Sequence, residues 1–353
     1  MNYQLSTRST LAGPTLLCGV MLAGAFLTCF LAHVDFSQLF LPYLVASVAV
    51  TIVCVLISLF WWVLQLALKR ANSPVAAVVA RLKERAALLV LPALVLPIFL
   101  SAFTATKTAI PFLVGYHWDA FWANVDKVIF GQDVWRIAHR ILGSSSMPVW
   151  EWFYTVGWGF ALVFTSALVA LNMERRRVAT FYTAMMATWI IGGGLFAYAF
   201  SAAGPVFASL GDPALAGRFA ELNALMNQYL STGGAVRQTQ EYLATAVHSH
   251  IAVKGGGVSA MPSMHLAAAM IYILASRRSA WLVLSVPFWT VIFLCSAYFG
   301  YHYWIDDLVG SAIACVCWVG AVRYYGRSAR QEALLLSHSP HLERRVLAKV
   351  DGR

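Results

Sequence analysis

Gly255-Gly256-Gly257-Val258-Ser259-Ala260-Met261-Pro262-Ser263-Met264-His265 runs directly into an apolar stretch that starts at Leu266. The proline suits the first turn of a helix, where a missing N–H costs little. The apolar run behind it is long enough to enter a bilayer. Further on, His302-Tyr303-Trp304-Ile305-Asp306 stands at the mouth of a second apolar run. Two histidines at the entrances of two apolar helices make the chain a helical membrane protein with polar chemistry at one end.

The rest of the 353 residues agrees with that reading. They are 60% hydrophobic and 11% charged, with a mean hydropathy of +0.70, too apolar for an ordinary soluble domain. Apolar runs predict eight spans, near 11–32, 41–66, 86–104, 147–171, 178–201, 260–276, 280–299 and 303–324. The first run is too long for a signal peptide and lacks a small-x-small cleavage site. The six cysteines all lie inside apolar runs and read as small apolar fillers. With the N-terminus in the cytoplasm, 18 of the 25 Lys and Arg fall in inner segments and 7 in outer ones. This bias places both termini inside. The net charge of +10 therefore reports orientation and implies no nucleic-acid partner.

The expected organisation is N-terminal spans over 1–104, an outer interfacial segment over 105–146, a catalytic transmembrane bundle over 147–325, and a basic cytoplasmic tail over 326–353. In the interfacial segment Trp118, Phe121 or Trp122, Val125 and Ile129 recur at helical spacing between Asp119, Asp126 and Lys127. Within the bundle, 202–259 reads as an extracytoplasmic helical cap. Leu215, Phe219, Leu222, Met226 and Tyr229 form one face of it, Gln238 to His250 a further short helix, and Ser231-Thr232-Gly233-Gly234 a hinge candidate. His248 and His250 read as solvated loop residues.

Both histidine motifs fall at outer helix ends, and ionisable groups there are functional candidates. His302 and Asp306 are four apart and share a helical face. A carboxylate taking the proton of one ring nitrogen leaves the other lone pair free to attack. Asp307 points about 100° away. His265 then serves as general acid and base. Free N–H groups near Ser263 and His265 favour an anion, Gly256 and Gly257 let the backbone approach a phosphate, and Ser263 and Ser259 can donate to its oxygens. By residue type alone, His265, His302 and Asp306 could also ligate zinc, although the Pro-Ser-x-His context suits an anion better; no metal or other cofactor is required.

Pro262-Ser263-Met264-His265, with His302 and Asp306 four residues later, resembles the second and third motifs of the type-2 phosphatidic acid phosphatase superfamily. The resemblance implies a six-helix catalytic bundle and a phosphohistidine on His302 oriented by Asp306, with His265 as acid/base and Ser263 on the phosphate. Within the superfamily the chain looks closest to inositol phosphorylceramide synthases, on its Pro-Ser-x-His loop, its His-Tyr-x-x-Asp segment, and Asp119, Asp126 and Phe130-Gly131. The family's Lys-x6-Arg-Pro motif is absent: Lys107 has Val114 seven later. Its arginine six before the third-motif histidine is replaced by Ser296. Lys254 is the first substitute for these cations, with Arg237, Arg136 and Arg140 behind it. The expected activity is phosphoryl transfer from a lipid-linked phosphate at the extracytoplasmic face, by transfer to an alcohol or by hydrolysis. The competing expectation is a non-enzymatic lipid-binding or transport protein. The oligomeric state is not readable from the sequence.

Overall fold

The computed structural model describes residues 5–70, 72–230, 234–252 and 254–337, with 246–249 and 328–337 described by backbone alone. The fold is all-helical, and among the described residues no β-strand forms. In chain order the helices are α1 (Thr7–Ala32), α2 (Phe40–Leu68), α3 (Pro74–Leu113), α4 (Asp119–Phe130), α5 (Val134–Leu142), α6 (Ser144–Asn172), α7 (Arg175–Ala199), α8 (Ala220–Tyr229), α9 (Ala235–Ser249), α10 (Met264–Ser276), α11 (Leu282–Tyr298) and α12 (Trp304–Ser337). Six of them are long and apolar enough to cross a membrane: α1, α2, α3, α6, α7 and the part of α12 up to Arg327. α10 and α11 are apolar but shorter. The protein is a polytopic membrane protein, and the eight apolar helices correspond to the eight expected spans.

Two boundaries differ from expectation for physical reasons. The third apolar helix begins at Pro74, a residue suited to a first helical turn, and continues to Leu113: Pro92, in a π-helical turn at Leu91–Val95, and Pro97, in the first turn of the α-helical stretch after it, do not end it. α10 starts only at Met264, where Ser263 is the N-cap and its hydroxyl accepts the Leu266 N–H at 3.4 Å. Its 13 residues rise about 20 Å, short of the about 30 Å hydrocarbon core. A helix this short does not cross that thickness by itself.

α1 packs on α3 and α7, α2 on α3 and α6, α7 on α12, and α10 on both α11 and α12. Basic loops meet at the end away from the histidines. An Arg85 Nη1 donates to the Met173 carbonyl, Arg175 lies 4.0 Å from Glu84, and Gly326 abuts Arg176. At the other end, the α1–α2 turn joins the outer segments: Asp35 N–H donates to the His250 carbonyl at 2.9 Å and Ala252 N–H to that of Asp35 at 2.8 Å.

The interfacial helix over 119–130 forms, but its polarity is reversed from a simple surface helix. Phe121, Val128 and Ile129 are exposed on its outer side, while Asp119 and Asp126 are buried against the bundle. In the cap, Leu215, Phe219, Leu222 and Met226 are buried as one face, whereas Tyr229 is exposed. His250 is an exposed residue just past α9, as expected, but it is anchored: it caps α9 in a left-handed conformation, stacks on Phe112 at 3.8 Å and hydrogen-bonds the Ala32 carbonyl at 3.0 Å. The hinge candidate lies outside the described residues except for Gly234, as do the His248 side chain and the tail beyond 337.

α12 can lie against the Ser263 loop only because position 310 is glycine. A Cβ there would sit 2.3 Å from the Ser263 carbonyl oxygen. Gly310→Ala is expected to lose about 1–3 kcal/mol through forced separation, read as a lower thermal midpoint in detergent. Gly320 on the same helix has nothing within 4 Å of its missing Cβ, so Gly320→Ala is the control, expected to hold or raise the midpoint.

Candidate active site

The Val258–Ser263 loop is braced from several sides. Ala260 N–H donates to the Ala202 carbonyl at 2.7 Å, and Ser263 N–H to that of Asp306 at 3.0 Å. The 202–204 turn is itself held by Asp119, whose carboxylate accepts the N–H groups of Ala203 and Gly204, each at 2.8 Å, and the Tyr303 hydroxyl at 3.0 Å. Asp126 does the same for α12, accepting the N–H groups of Trp304 at 2.8 Å and Ile305 at 2.9 Å. Such N–H groups at a helix start have no partner inside the helix. The two buried carboxylates of α4 thus fix the two chain segments that carry the histidine motifs.

That bracing brings the imidazoles together. The rings of His265 and His302 are 5.6 Å apart, centroid to centroid, meeting edge to face. His302 is buried and its Nδ1 lies 2.8 Å from the Ala260 carbonyl oxygen. A carbonyl can only accept, so Nδ1 carries the proton and Nε2 keeps its lone pair. This differs from the expected orientation by Asp306. That carboxylate stands 3.7 Å from Nδ1, beyond hydrogen-bond length, and accepts the Tyr303 N–H at 2.9 Å instead. Burial, with the charge of Lys107 adding to it and the Ala260 bond opposing, pulls the His302 imidazolium down to about 3. The ring is therefore neutral at physiological pH.

His265 is held by stacking. The Tyr154 ring lies parallel to it at 4.8 Å, and Trp158 packs at 4.2 Å on it while its indole N–H donates to the His265 carbonyl at 3.3 Å. Tyr154 and Trp158 are four apart on α6, where the helix widens into a π turn over Phe153–Gly157. Such turns recur at functional sites. Neither residue was among the sequence candidates, although an aromatic pair at i, i+4 on an apolar helix is the signal that marks a shared face.

Both histidines open into one cavity of about 570 Å³, within the roughly 300–1,000 Å³ of small-molecule sites. Gly256, Gly257, Ser259 and Lys254 also line it. Ser263 does not. Its side chain is fully buried, caps α10, and faces Asp307, whose other neighbour is the Ser296 hydroxyl at 2.5 Å. The serine standing where the family arginine was sought thus binds a carboxyl, not an anion. Lys254 lies near the rim, 5.9 Å from the centre of the Tyr43 ring. Arg136 and Arg237 are taken up in ion pairs with Glu221 and Glu241, and neither they nor Arg140 line the cavity.

The cation that sequence spacing overlooked is Lys107. It lies near the C-terminal end of α3, lines the cavity beside the histidines, and its field reaches both rings. Among the described residues its ammonium has no hydrogen-bond or ion-pair partner. Gly257, at φ +84°, lies so close to it that a Cβ would come within 2.9 Å of the Lys107 backbone carbon and Cγ. The glycine run is thus needed for the approach of the loop to α3. A lysine inside so apolar a helix was itself a signal.

Among the described residues no three His, Cys, Asp or Glu side chains are grouped to hold one metal ion. The family model of the PAP2 superfamily matches residues 139–320, just over half of the chain. The chain belongs to the PAP2 superfamily. Membership puts it among phosphatase-type membrane enzymes. The match contains both histidine motifs and excludes α1–α4, so Lys107, Asp119 and Asp126 lie outside it. Neither the curated proteins nor the solved structures gave a match to the chain.

Burial raises Asp119 to about 6 and Asp126 to about 7, against the N–H groups that lower them. A carboxyl raised in the folded state binds its proton more tightly there than in the unfolded chain. Stability from these groups is thus fullest at acid pH and declines as pH rises from roughly 4 to roughly 7. Asp126→Asn should flatten that decline in a series of thermal melts in detergent. An unaltered slope would contradict a role for Asp126 in it.

Proposed function

We propose that the protein is a membrane phosphatase or phosphotransferase that takes a phosphoryl group from a lipid-linked phosphate onto His302, at the extracytoplasmic face. The observation that carries this reading is the meeting of two imidazoles 5.6 Å apart, one with a free Nε2 lone pair, in a cavity with an ammonium that has no partner among the described residues. The phosphate oxygens sit against Lys107, with Lys254 nearer the entrance. The Nε2 lone pair of His302 attacks phosphorus as the bond to the lipid oxygen breaks, and the leaving oxygen takes the proton of His265. Water or an alcohol then gives its proton to His265 and attacks phosphorus, and the P–N electron pair returns to His302. Among the described residues the cation whose field reaches His265 is Lys107. The bound phosphate dianion therefore supplies the negative charge that lets His265 hold its proton.

The role of Asp306 in this scheme is indirect. It fixes the Tyr303 N–H and the start of α12, and the Ala260 carbonyl fixes the tautomer. The extracytoplasmic position rests on the charge bias, since the basic loops gather at the end away from the histidines. The motif resemblance to inositol phosphorylceramide synthases favours an alcohol acceptor over water.

The test is to trap labelled phosphoryl-enzyme from lipid phosphates in detergent and to map the label. Label on His302, absent in His302→Ala, is expected; label elsewhere, or none from any substrate in a wild-type protein of native melting behaviour, rejects the scheme. Free phosphate with and without alcohols separates hydrolysis from transfer. Lys107→Ala should lower kcat/KM by about 10²–10³-fold. Tyr154→Leu should lower kcat and move the basic limb of its pH profile, because His265 loses its stacking face, while Tyr154→Phe, which keeps the ring, should restore both.

A further inference from the structure

The cavity does not end at the histidines. It continues between α2 and α6, where Tyr43, Ala46 and Val50 face Val156, Gly159 and Phe160. Tyr43 to Val50 spans seven residues, about 10 Å of helix, or a third of the about 30 Å hydrocarbon core. Val156 and Phe160 are also half exposed on the outside of the bundle, at 51% and 46%. The wall they form is therefore thin, with the bilayer on its far side. The cleft is made by small residues as much as by shape: a Cβ on Gly159 would meet no atom within 4 Å. At its upper end Tyr43 ties the cleft to the site, its hydroxyl accepting the Gly255 N–H at 2.9 Å and lying 2.7 Å from the Thr104 hydroxyl, one turn before Lys107.

One space thus holds two ammonium groups at its polar end and runs down into apolar walls at hydrocarbon depth. We infer that the α2–α6 cleft receives the upper part of the hydrocarbon chain of a lipid phosphate, and that α2, which lies outside the PAP2 match, selects among chains. This rests on the phosphoryl-transfer reading for the head of the same molecule. Moving a chain from lipid into an apolar cleft gains nothing hydrophobic, because both surroundings are apolar. The cleft acts by shape: it lets the phosphate reach Lys107 and His302 while the rest of the chain stays in the bilayer, leaving past Val156 and Phe160. Chains that do not fit between Ala46 and Gly159 are excluded.

The first experiment is a cross-linking map. A lipid phosphate with a diazirine in its chain is photolysed on the purified full chain, and adducts are located by mass spectrometry. Adducts on Tyr43–Val50 and Thr155–Val163 are expected. Adducts confined to the outer surfaces of α10 and α11 overturn the inference. The second compares turnover of a long-chain lipid phosphate with that of p-nitrophenyl phosphate, which has no chain. Gly159→Leu and Ala46→Leu, one from each wall, should each lower the long-chain to p-nitrophenyl ratio by about tenfold or more. Gly19→Leu adds the same bulk on an open face of α1 and should leave the ratio at the wild-type value. A wild-type ratio in both wall variants overturns the cleft while sparing the chemistry at His302. If wild-type protein turns over neither substrate and carries no label, the phosphoryl-transfer reading fails, and the cross-linking map still decides where the chain lies.

Discussion

The hydrogen bond from the His302 ring to the Ala260 carbonyl is the interaction on which the site depends. It joins the loop before α10 to the strand of chain before α12 through a buried contact of 2.8 Å. It also determines the chemistry, because an acceptor at Nδ1 leaves Nε2 as the basic nitrogen. A backbone acceptor has one further property: it stays an acceptor at every pH. His302 consequently keeps one tautomer without a charged partner, and a neutral ring in an apolar setting avoids the cost of a buried ion pair.

Around that bond the polar groups are arranged in layers. Asp119 and Asp126 hold backbone N–H groups on the far side of the histidine segments. Tyr154 and Trp158 hold His265 from α6, and Gly257 brings Lys107 up from α3. Each support comes from a different helix. The site is therefore assembled by packing of the whole bundle, and close backbone approaches at Gly310 and Gly257 are conditions of that packing.

Much of this was legible in the sequence, and the rest was hidden for definite reasons. Twenty-residue apolar runs and loop charge are one-dimensional signals, so the eight apolar helices could be read directly. His265 and His302 were legible because helix mouths and span parity put them at one end. The partner of His302 was not, since a backbone carbonyl carries no sequence signature and Asp306, four residues on, satisfied the helical rule. Ser263 was misjudged for a related reason: a hydroxyl before a helix serves equally as anion donor or as N-cap, and burial decided for the cap. Lys107 was passed over because it was tested against a fixed spacing to an arginine, while its actual neighbours come from α10 and the glycine loop. Tyr154 and Trp158 left the trace of an i, i+4 aromatic pair, but the π turn that carries them toward His265 shifts register by one residue and leaves no mark in hydropathy.

The seat of Lys107 has a consequence for how the enzyme is built. The segment recognised as PAP2 holds both histidines but no ammonium at the base of the cavity; that charge arrives from a helix earlier in the chain. In the proposed chemistry the histidines and the ammonium thus come from two stretches of polypeptide that meet only after both are inserted. During synthesis the histidine half emerges into a bilayer where its electrostatic complement already waits, so the pocket is completed by the last helix to enter rather than by any single motif.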